Sequence, residues 1–356
     1  MDKIKYALIG FGGIAENRIA KEGFACDKGR FAPLPGARLV GATDLNPLRA
    51  KAVEALGLKW YESTDEIINS NEIDAVFIAT NNTSHAGIAQ KAINAGKHVL
   101  VEKPMATTIE DASLMVELAR TKKVSLMVDH MMTGNSWNIK ASEMISAGKL
   151  GDVNDACFHM EFSYGSAPEE AATWRCSNPE ELGGPVGDVA SHCFYMAEFV
   201  LDSKIEEVAC VYYPKTMDMV VEDGAYIKYK MSNGMTGSIK VGFNEPRGGL
   251  GGTLSNLGFE VYGSEATLRS YGTMFQLSGH PGEPIKMRLE IDNYSENKEV
   301  KIATDDIENI YQHVINAHAR TIIDNYPSDG YDALHNLKLI YAAHNSARNG
   351  GKTIKI

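Results

Sequence analysis

Two short stretches carry side chains whose types and spacing suit chemistry. The first is Lys97-His98-Val99-Leu100-Val101-Glu102-Lys103-Pro104. Val99 to Val101 reads as a short buried strand, and proline stops the ladder and draws the preceding residue towards an extended conformation. Lys103 is thereby held at the carboxyl end of a strand, where open α/β sheets bind their ligands. The competing reading is an ordinary strand end with solvated charges.

The second stretch is Gly183-Gly184-Pro185-Val186-Gly187-Asp188-Val189-Ala190-Ser191-His192. Asp188 and His192 stand four apart in what reads as the first turns of a helix running to Leu201, so they share a face. A carboxylate beside an imidazole suits proton transfer, because the unperturbed pKa of histidine lies near working pH. The bland alternative is an acid on the helix dipole and a histidine in the core. Two ligands without a third at helical spacing do not make a zinc site, so no metal is expected.

Such groups need elements to position them. A compact strand, Ile4 to Ile9, runs into Gly10-Phe11-Gly12-Gly13-Ile14-Ala15, a G-x-G-x-x-A at the turn into a helix. Its glycines allow a tight turn and close backbone approach to a pyrophosphate seated on the helix N-terminus. A second strand, Arg38 to Thr43, ends in Asp44, placed to hydrogen-bond the ribose hydroxyls of a dinucleotide and to repel a 2′-phosphate. NAD is therefore favoured over NADP, with Arg49 near enough in sequence to keep NADP open. Glu22 to Gly36 reads as an inserted loop that lengthens the spacing between the glycines and Asp44.

The strand Asp74 to Ala79 ends in Thr80-Asn81-Asn82-Thr83-Ser84-His85, small polar residues suited to lining a cofactor or, equally, to capping a helix at Thr83 or Ser84. Ser63-x-x-Glu66 reads as a capping box. Helices at His85 to Ala95 and Ile109 to Lys122 and a strand at Ser125 to Val128 complete a β-α alternation that predicts a doubly wound parallel sheet. From Ile205 the pattern changes to strands at Glu207 to Tyr213, Ala225 to Met231, Met235 to Phe243, Gly258 to Tyr262, Ala266 to Ser270 and Lys298 to Ile302. Asn233-Gly234 reads as a two-residue hairpin turn. The expected fold class is α/β: an N-terminal Rossmann doubly wound parallel sheet over residues 1–130, then a C-terminal α/β domain over 131–356 with a large, mostly antiparallel open sheet.

The whole-chain numbers agree with this and remove other classes. At 356 residues the chain is long enough for two cores, and 44% apolar with 23% charged residues is an ordinary globular composition. A net charge of −11 argues against nucleic-acid and acidic-membrane partners. No apolar run reaches the roughly 20 residues that span a bilayer. Met1 to Tyr6 leads straight into a strand, so no leader is expected, and five cysteines without a C-x-x-C pair point to free thiols and a cytoplasmic location.

Gly10-x-Gly12-x-x-Ala15, Asp44, Ala79-Thr80-Asn81 with His85, and Ala95-Gly96-Lys97-His98-Val99-x-Val101-Glu102-Lys103-Pro104 together resemble the glucose–fructose oxidoreductase/inositol dehydrogenase/rhizopine-catabolism (Gfo/Idh/MocA) family. The likeness extends along essentially the whole chain. It implies an NAD(P)-dependent oxidoreductase with Lys103 beside the nicotinamide and substrate hydroxyl, and Asp188 with His192 closing the site. It implies a cofactor set of Gly10, Gly12, Gly13, Ile14, Asp44, Thr80, Asn81, His85, Glu102 and Lys103. Sugar-oxidising relatives carry a Trp-Arg in the long connection Ser163 to Leu182, so Trp174 and Arg175 are expected substrate contacts. Asn138, on an expected helix from Trp137 to Ala147, is a third, and the loop 244–256 is a further expected source. The expected reaction is oxidation of a secondary hydroxyl of a sugar, cyclitol or glycoside, with the 3-position of a glucosyl unit as one candidate. A reductase running the same site backwards, an NAD-assisted glycosidase and a non-catalytic dinucleotide sensor are the alternatives. The open face of the second sheet is expected to pair subunits in a homo-oligomer.

Overall fold

The structure, a computed structural model, describes residues 3–244, 257–272 and 287–356. The chain divides into two compact units, residues 1–131 with 309–335, and residues 132–308 with 336–356. The segment 309–335, which the sequence reading placed with the second domain, therefore packs in the first unit.

Six parallel strands form the first sheet: β1 (Ile4–Ile9), β2 (Ala37–Thr43), β3 (Lys59–Trp60), β4 (Ala75–Ile78), β5 (His98–Val101) and β6 (Leu126–Val128). Their order is β3-β2-β1-β4-β5-β6, the order of a doubly wound dinucleotide-binding sheet. Tyr6 to Ile9, Ala75 to Ile78 and Val99 to Val101 are buried, as central parallel strands covered on both faces must be. Ser63 caps the helix Thr64–Asn69 by accepting from the Glu66 N–H at 3.1 Å, while Glu66 reaches back to the Glu62 N–H at 2.9 Å, one residue before the N-cap N–H that a capping box uses.

The stretch read as an inserted loop is in part helical. The first helix, Ala15–Gly23, has wide π-type turns and ends inside that stretch. The remainder buries Phe24, Phe31 and Leu34, and the helix Ile310–Ile323 lies against this region. Asn309 donates to Glu22 at 3.2 Å, Gln312 donates to the Ala32 carbonyl at 2.8 Å, and Tyr6 meets His318 Nδ1 at 2.8 Å. Apolar burial and these bonds explain why 309–335 joins the first unit.

In the second unit the described strands are β7 (Val153–Glu161), β8 (Ile205–Tyr212), β9 (Gly224–Met231), β10 (Thr236–Gly242), β11 (Leu257–Gly263), β12 (Thr267–Tyr271), β13 (Arg288–Asp292), β14 (Asn297–Glu299) and β15 (Ile354–Lys355). They form one sheet in the order β14-β13-β12-β11-β7-β10-β9-β8-β15, antiparallel except where β10 pairs β7. Helices Ser136–Ser146 and Ala190–Leu201 pack on one face. On the other, Val211 and its cross-strand partner Tyr226 are 59% and 56% exposed.

The hairpin between β9 and β10 has three turn residues, Ser232, Asn233 and Gly234, rather than two. Met231 and Met235 are the closing pair, and Gly234 takes the left-handed conformation at φ +90° that a three-residue turn requires. Among the described residues no helix is long and apolar enough to cross a membrane.

Candidate active site

The first unit gathers its candidate residues along the carboxyl edge of the parallel sheet. Backbone bonds carry the ladder past the strand ends: Gly10 N–H to Thr43, Ala79 N–H to Ile9, Glu102 N–H to Ile78 and Asp129 N–H to Val101, all at 2.8–2.9 Å. Gly10, Asp44, Thr80, Asn81, Glu102 and Lys103 thus stand at or just past consecutive strand ends. That edge is where a doubly wound sheet binds its ligand.

The glycine turn fits a dinucleotide. Gly10 has φ +91°, and a Cβ there would sit 2.6 Å from the Ala79 carbonyl oxygen, so a side chain is excluded twice over. Gly12, Gly13 and Ile14 are exposed ahead of the helix Ala15–Gly23, and a Cβ on either glycine would meet nothing within 4 Å. This leaves room for a diphosphate on the positive end of the helix. Asp44 accepts the Phe11 N–H at 2.6 Å and the Asn46 N–H at 2.8 Å, which fixes its carboxylate at the end of β2. Arg49 donates to the Phe11 carbonyl at 2.7 Å and pairs with Glu16, so its charge is engaged in the turn. An acid held there beside a satisfied arginine suits a ribose with free hydroxyls better than a 2′-phosphate.

The second polar turn is stitched to itself. Ser84 donates to Thr80 Oγ1 at 2.7 Å and contacts Asn81, whose amide donates to Thr83 at 2.8 Å. His85 corrects the sequence reading of a cofactor contact. It has no exposed surface, with Nδ1 2.8 Å from the Pro104 carbonyl and Nε2 3.2 Å from the Thr80 carbonyl. A buried ring between two acceptors positions both strand ends rather than meeting a ligand. The Lys103–Pro104 peptide is cis, and Glu102 turns back to accept the Lys103 N–H at 3.2 Å.

The second unit brings together Trp174, Arg175, Asp188 and His192. The connection 163–182 contains short helical turns at Pro168–Ala171, Trp174–Ser177 and Pro179–Glu181. Arg175 lies over the Trp174 ring at 4.5 Å and donates to Asp188 at 3.1 Å. Burial works against the Arg175 charge, but Asp188 and Tyr164 outweigh it and hold the guanidinium protonated. Asp188 lies in a π-helical turn, Pro185–Val189, and His192 in the helix Ala190–Leu201 that continues from it. Wide turns of this kind are frequent at functional sites. Both side chains are buried, and His192 Nδ1 meets the Tyr195 hydroxyl at 2.7 Å. Asn135 caps its helix by accepting from Trp137 and Asn138.

Asn138 is the second correction. It has no exposed surface; its amide N–H goes to the Met132 carbonyl at 2.9 Å, and its Oδ1 is buried without a hydrogen-bond partner among the described residues, so burial rather than pairing keeps it from a substrate. The expected substrate loop 244–256 lies, beyond Asn244, outside the described residues. Among the described residues no group of three histidine, cysteine or acidic side chains could hold a metal ion.

Two residues were missed. Tyr195 stands three past His192 on the same helical face, a spacing that could have flagged it. Glu222 gave no local signal. It comes from the β8–β9 connection to accept the Val186 N–H at 2.8 Å, and burial first of all pushes its carboxyl up to about 7. Gly184, at φ +88°, leaves the space for it, since a Cβ there would lie 2.6 Å from a Glu222 oxygen.

Strand order, glycine turn and carboxyl-edge acids define a dinucleotide-binding protein of the Rossmann type. Residues 4–130 match the oxidoreductase family with an NAD-binding Rossmann fold, and residues 138–269 match the GFO/IDH/MocA C-terminal domain; the chain belongs to this family. It is 30% identical over 216 residues to 1,5-anhydro-D-fructose reductase of Ensifer adhaerens, covering 60% of this chain and 62% of that one. The chain spans less than two thirds of the first curated relatives it matches. Among solved structures, an aldose-aldose oxidoreductase from Caulobacter crescentus, complexed with glycerol, has a TM-score of 0.83 at 22% identity over 100% of both chains. Levoglucosan dehydrogenase in complex with NADH and levoglucosan has a TM-score of 0.81 at 20% identity, again over 100% of both. At such identities these two speak for the fold.

Proposed function

We propose that the protein is an NAD-dependent dehydrogenase that oxidises a secondary hydroxyl of a sugar, cyclitol or anhydrosugar. The observation that carries this reading is the half-buried Arg175 paired with the buried Asp188, together with the buried His192–Tyr195 pair, in a chain that also holds a dinucleotide turn and Lys103 at a strand end. Bound nicotinamide supplies the hydride acceptor. Gly10, Gly12, Gly13 and Ile14 hold the diphosphate, Asp44 the adenosine ribose, and Thr80, Asn81 and Glu102 the nicotinamide side. His192 takes the hydroxyl proton at a ring nitrogen, with Tyr195 fixing its tautomer and Asp188 anchoring a neighbouring hydroxyl. Lys103 donates to the same oxygen and stabilises its developing negative charge. Trp174 offers a flat apolar face to a sugar ring, and Arg175 orients Asp188 through their ion pair.

The match to a reductase supports a second reading, in which the same groups serve reduction of a keto sugar and His192 returns the proton. We further infer a homo-oligomer paired through the open sheet, supported by the exposed Val211–Tyr226 pair; light scattering of the purified chain reads it directly. The function is tested by a panel of aldoses, inositols, glycosides and anhydrosugars with NAD, and of keto sugars with NADH. Turnover of one carbohydrate class with NAD(H) is the expected result. Tight NAD binding without turnover of any member would favour a dinucleotide sensor. Glycoside cleavage without net cofactor change would favour redox-assisted hydrolysis.

A further inference from the structure

Asp129, which follows β6, has no exposed surface, and neither of its carboxyl oxygens meets a hydrogen-bond partner among the described residues. Register identifies its neighbour. β5 and β6 pair with Val101 opposite Val128, and the Asp129 N–H reaches the Val101 carbonyl at 2.8 Å. Glu102 and Asp129 therefore each stand one residue past a paired position, on strands about 4.8 Å apart. Two carboxylates so close, one of them wholly buried, cannot both be charged, and a bare buried carboxylate without donors is costly.

We propose that Asp129 is a proton-bearing positioning residue: as a neutral carboxylic acid it donates its O–H to the Glu102 carboxylate, and Glu102 so held fixes the backbone of Lys103. The proton stays on Asp129 because Glu102 is partly exposed and already accepts the Lys103 N–H. Burial, and next the charge of Glu102, push the Asp129 carboxyl well above the ordinary carboxylate range. From the helix Ile310–Ile323, Tyr311 faces the same pair. Its phenol is pushed up by burial and then by the negative charge held at the Glu102–Asp129 pair, with Arg18 opposing and Glu22 adding. Arg18 is paired with Glu22 at 2.8 Å, so its charge is engaged there rather than at Asp129.

The effect on turnover rests on the proposed role of Lys103, whereas the protonation of Asp129 does not. Infrared difference spectra of the full chain in D2O at about pH 8 separate the two. The carbonyl stretch of a protonated carboxylic acid is expected in the wild type, absent in Asp129→Asn and shifted in Glu102→Gln. No such band in the wild type overturns the proposal, and a band unmoved in Glu102→Gln overturns the pairing. On a substrate found by the panel, Asp129→Leu, similar in size but without a donor, is expected to lower kcat about tenfold with NAD affinity kept, the scale of a lost hydrogen bond to a charge. Asp129→Asn, which keeps a donor, is expected to recover most of that loss. Equal kcat in both variants overturns the positioning role.

Discussion

At the scale of single residues, the site depends on which neighbour each ionisable group keeps. Asp188 keeps Arg175 and His192 keeps Tyr195. Tyr195→Phe removes the partner of Nδ1 and frees the ring to change tautomer. Its kcat is expected to fall by about tenfold, the worth of one well-placed hydrogen bond, with KM for NAD unchanged; steady-state kinetics across pH checks this. Asp44 is the matching residue for the cofactor. Asp44→Ala is expected to weaken NAD by at least about tenfold while NADP loses little, because the acid both binds ribose hydroxyls and repels a phosphate. Titration of each dinucleotide by fluorescence decides it. His85 and Asn138 show why side-chain type alone misleads here. An imidazole that bridges two carbonyls and one that meets a ligand look alike in sequence, and only burial tells them apart.

At the scale of elements, what was legible followed from periodicity and punctuation. The strand Ile4–Ile9 and the helix Ile109–Lys122 were read with their observed ends, because a glycine turn and a capping threonine mark them. The hairpin at Asn233-Gly234 was placed correctly but given one turn residue too few, since the same dipeptide serves two- and three-residue turns. The glycines before Asp188 were legible as a special turn, but their reason was not. Glu222 arrives from a distant connection, and no local pattern predicts which loop will cap which helix. Gly184→Ala puts a side chain at a glycine-only backbone conformation and against that carboxylate. The variant is expected to lose about 1–3 kcal/mol, read as a lower Tm, with kcat falling further because the same turn carries Asp188.

At the scale of the whole molecule, the sequence predicted the two architectures and their order from the change in period near residue 205. The return of residues 309–335 to the first unit was not legible, because an amphipathic helix does not state which sheet it covers. That return places His318 where burial, above all, pushes its ring down to about 3. An unfolded chain protonates this histidine below about pH 6.5. Between roughly pH 3 and 6.5 the unfolded state therefore binds the extra proton, and this group makes stability fall as the pH is lowered through that window. Above it the group contributes no pH dependence. Urea unfolding followed by Trp fluorescence is expected to show this loss at about pH 5 relative to pH 7, and a His318→Gln variant should flatten it.

The central claim, that one reaction uses both Lys103 and the Asp188–His192 segment, is tested most directly by the rate of NADH formation on the best carbohydrate of the panel. Lys103→Met and His192→Ala are compared with the wild type after their NAD affinities are measured. Each variant is expected to bind NAD within about threefold of wild type and to lose at least about a hundredfold in kcat, the usual scale for general acid–base groups. Full turnover by either variant with NAD still bound would contradict the account.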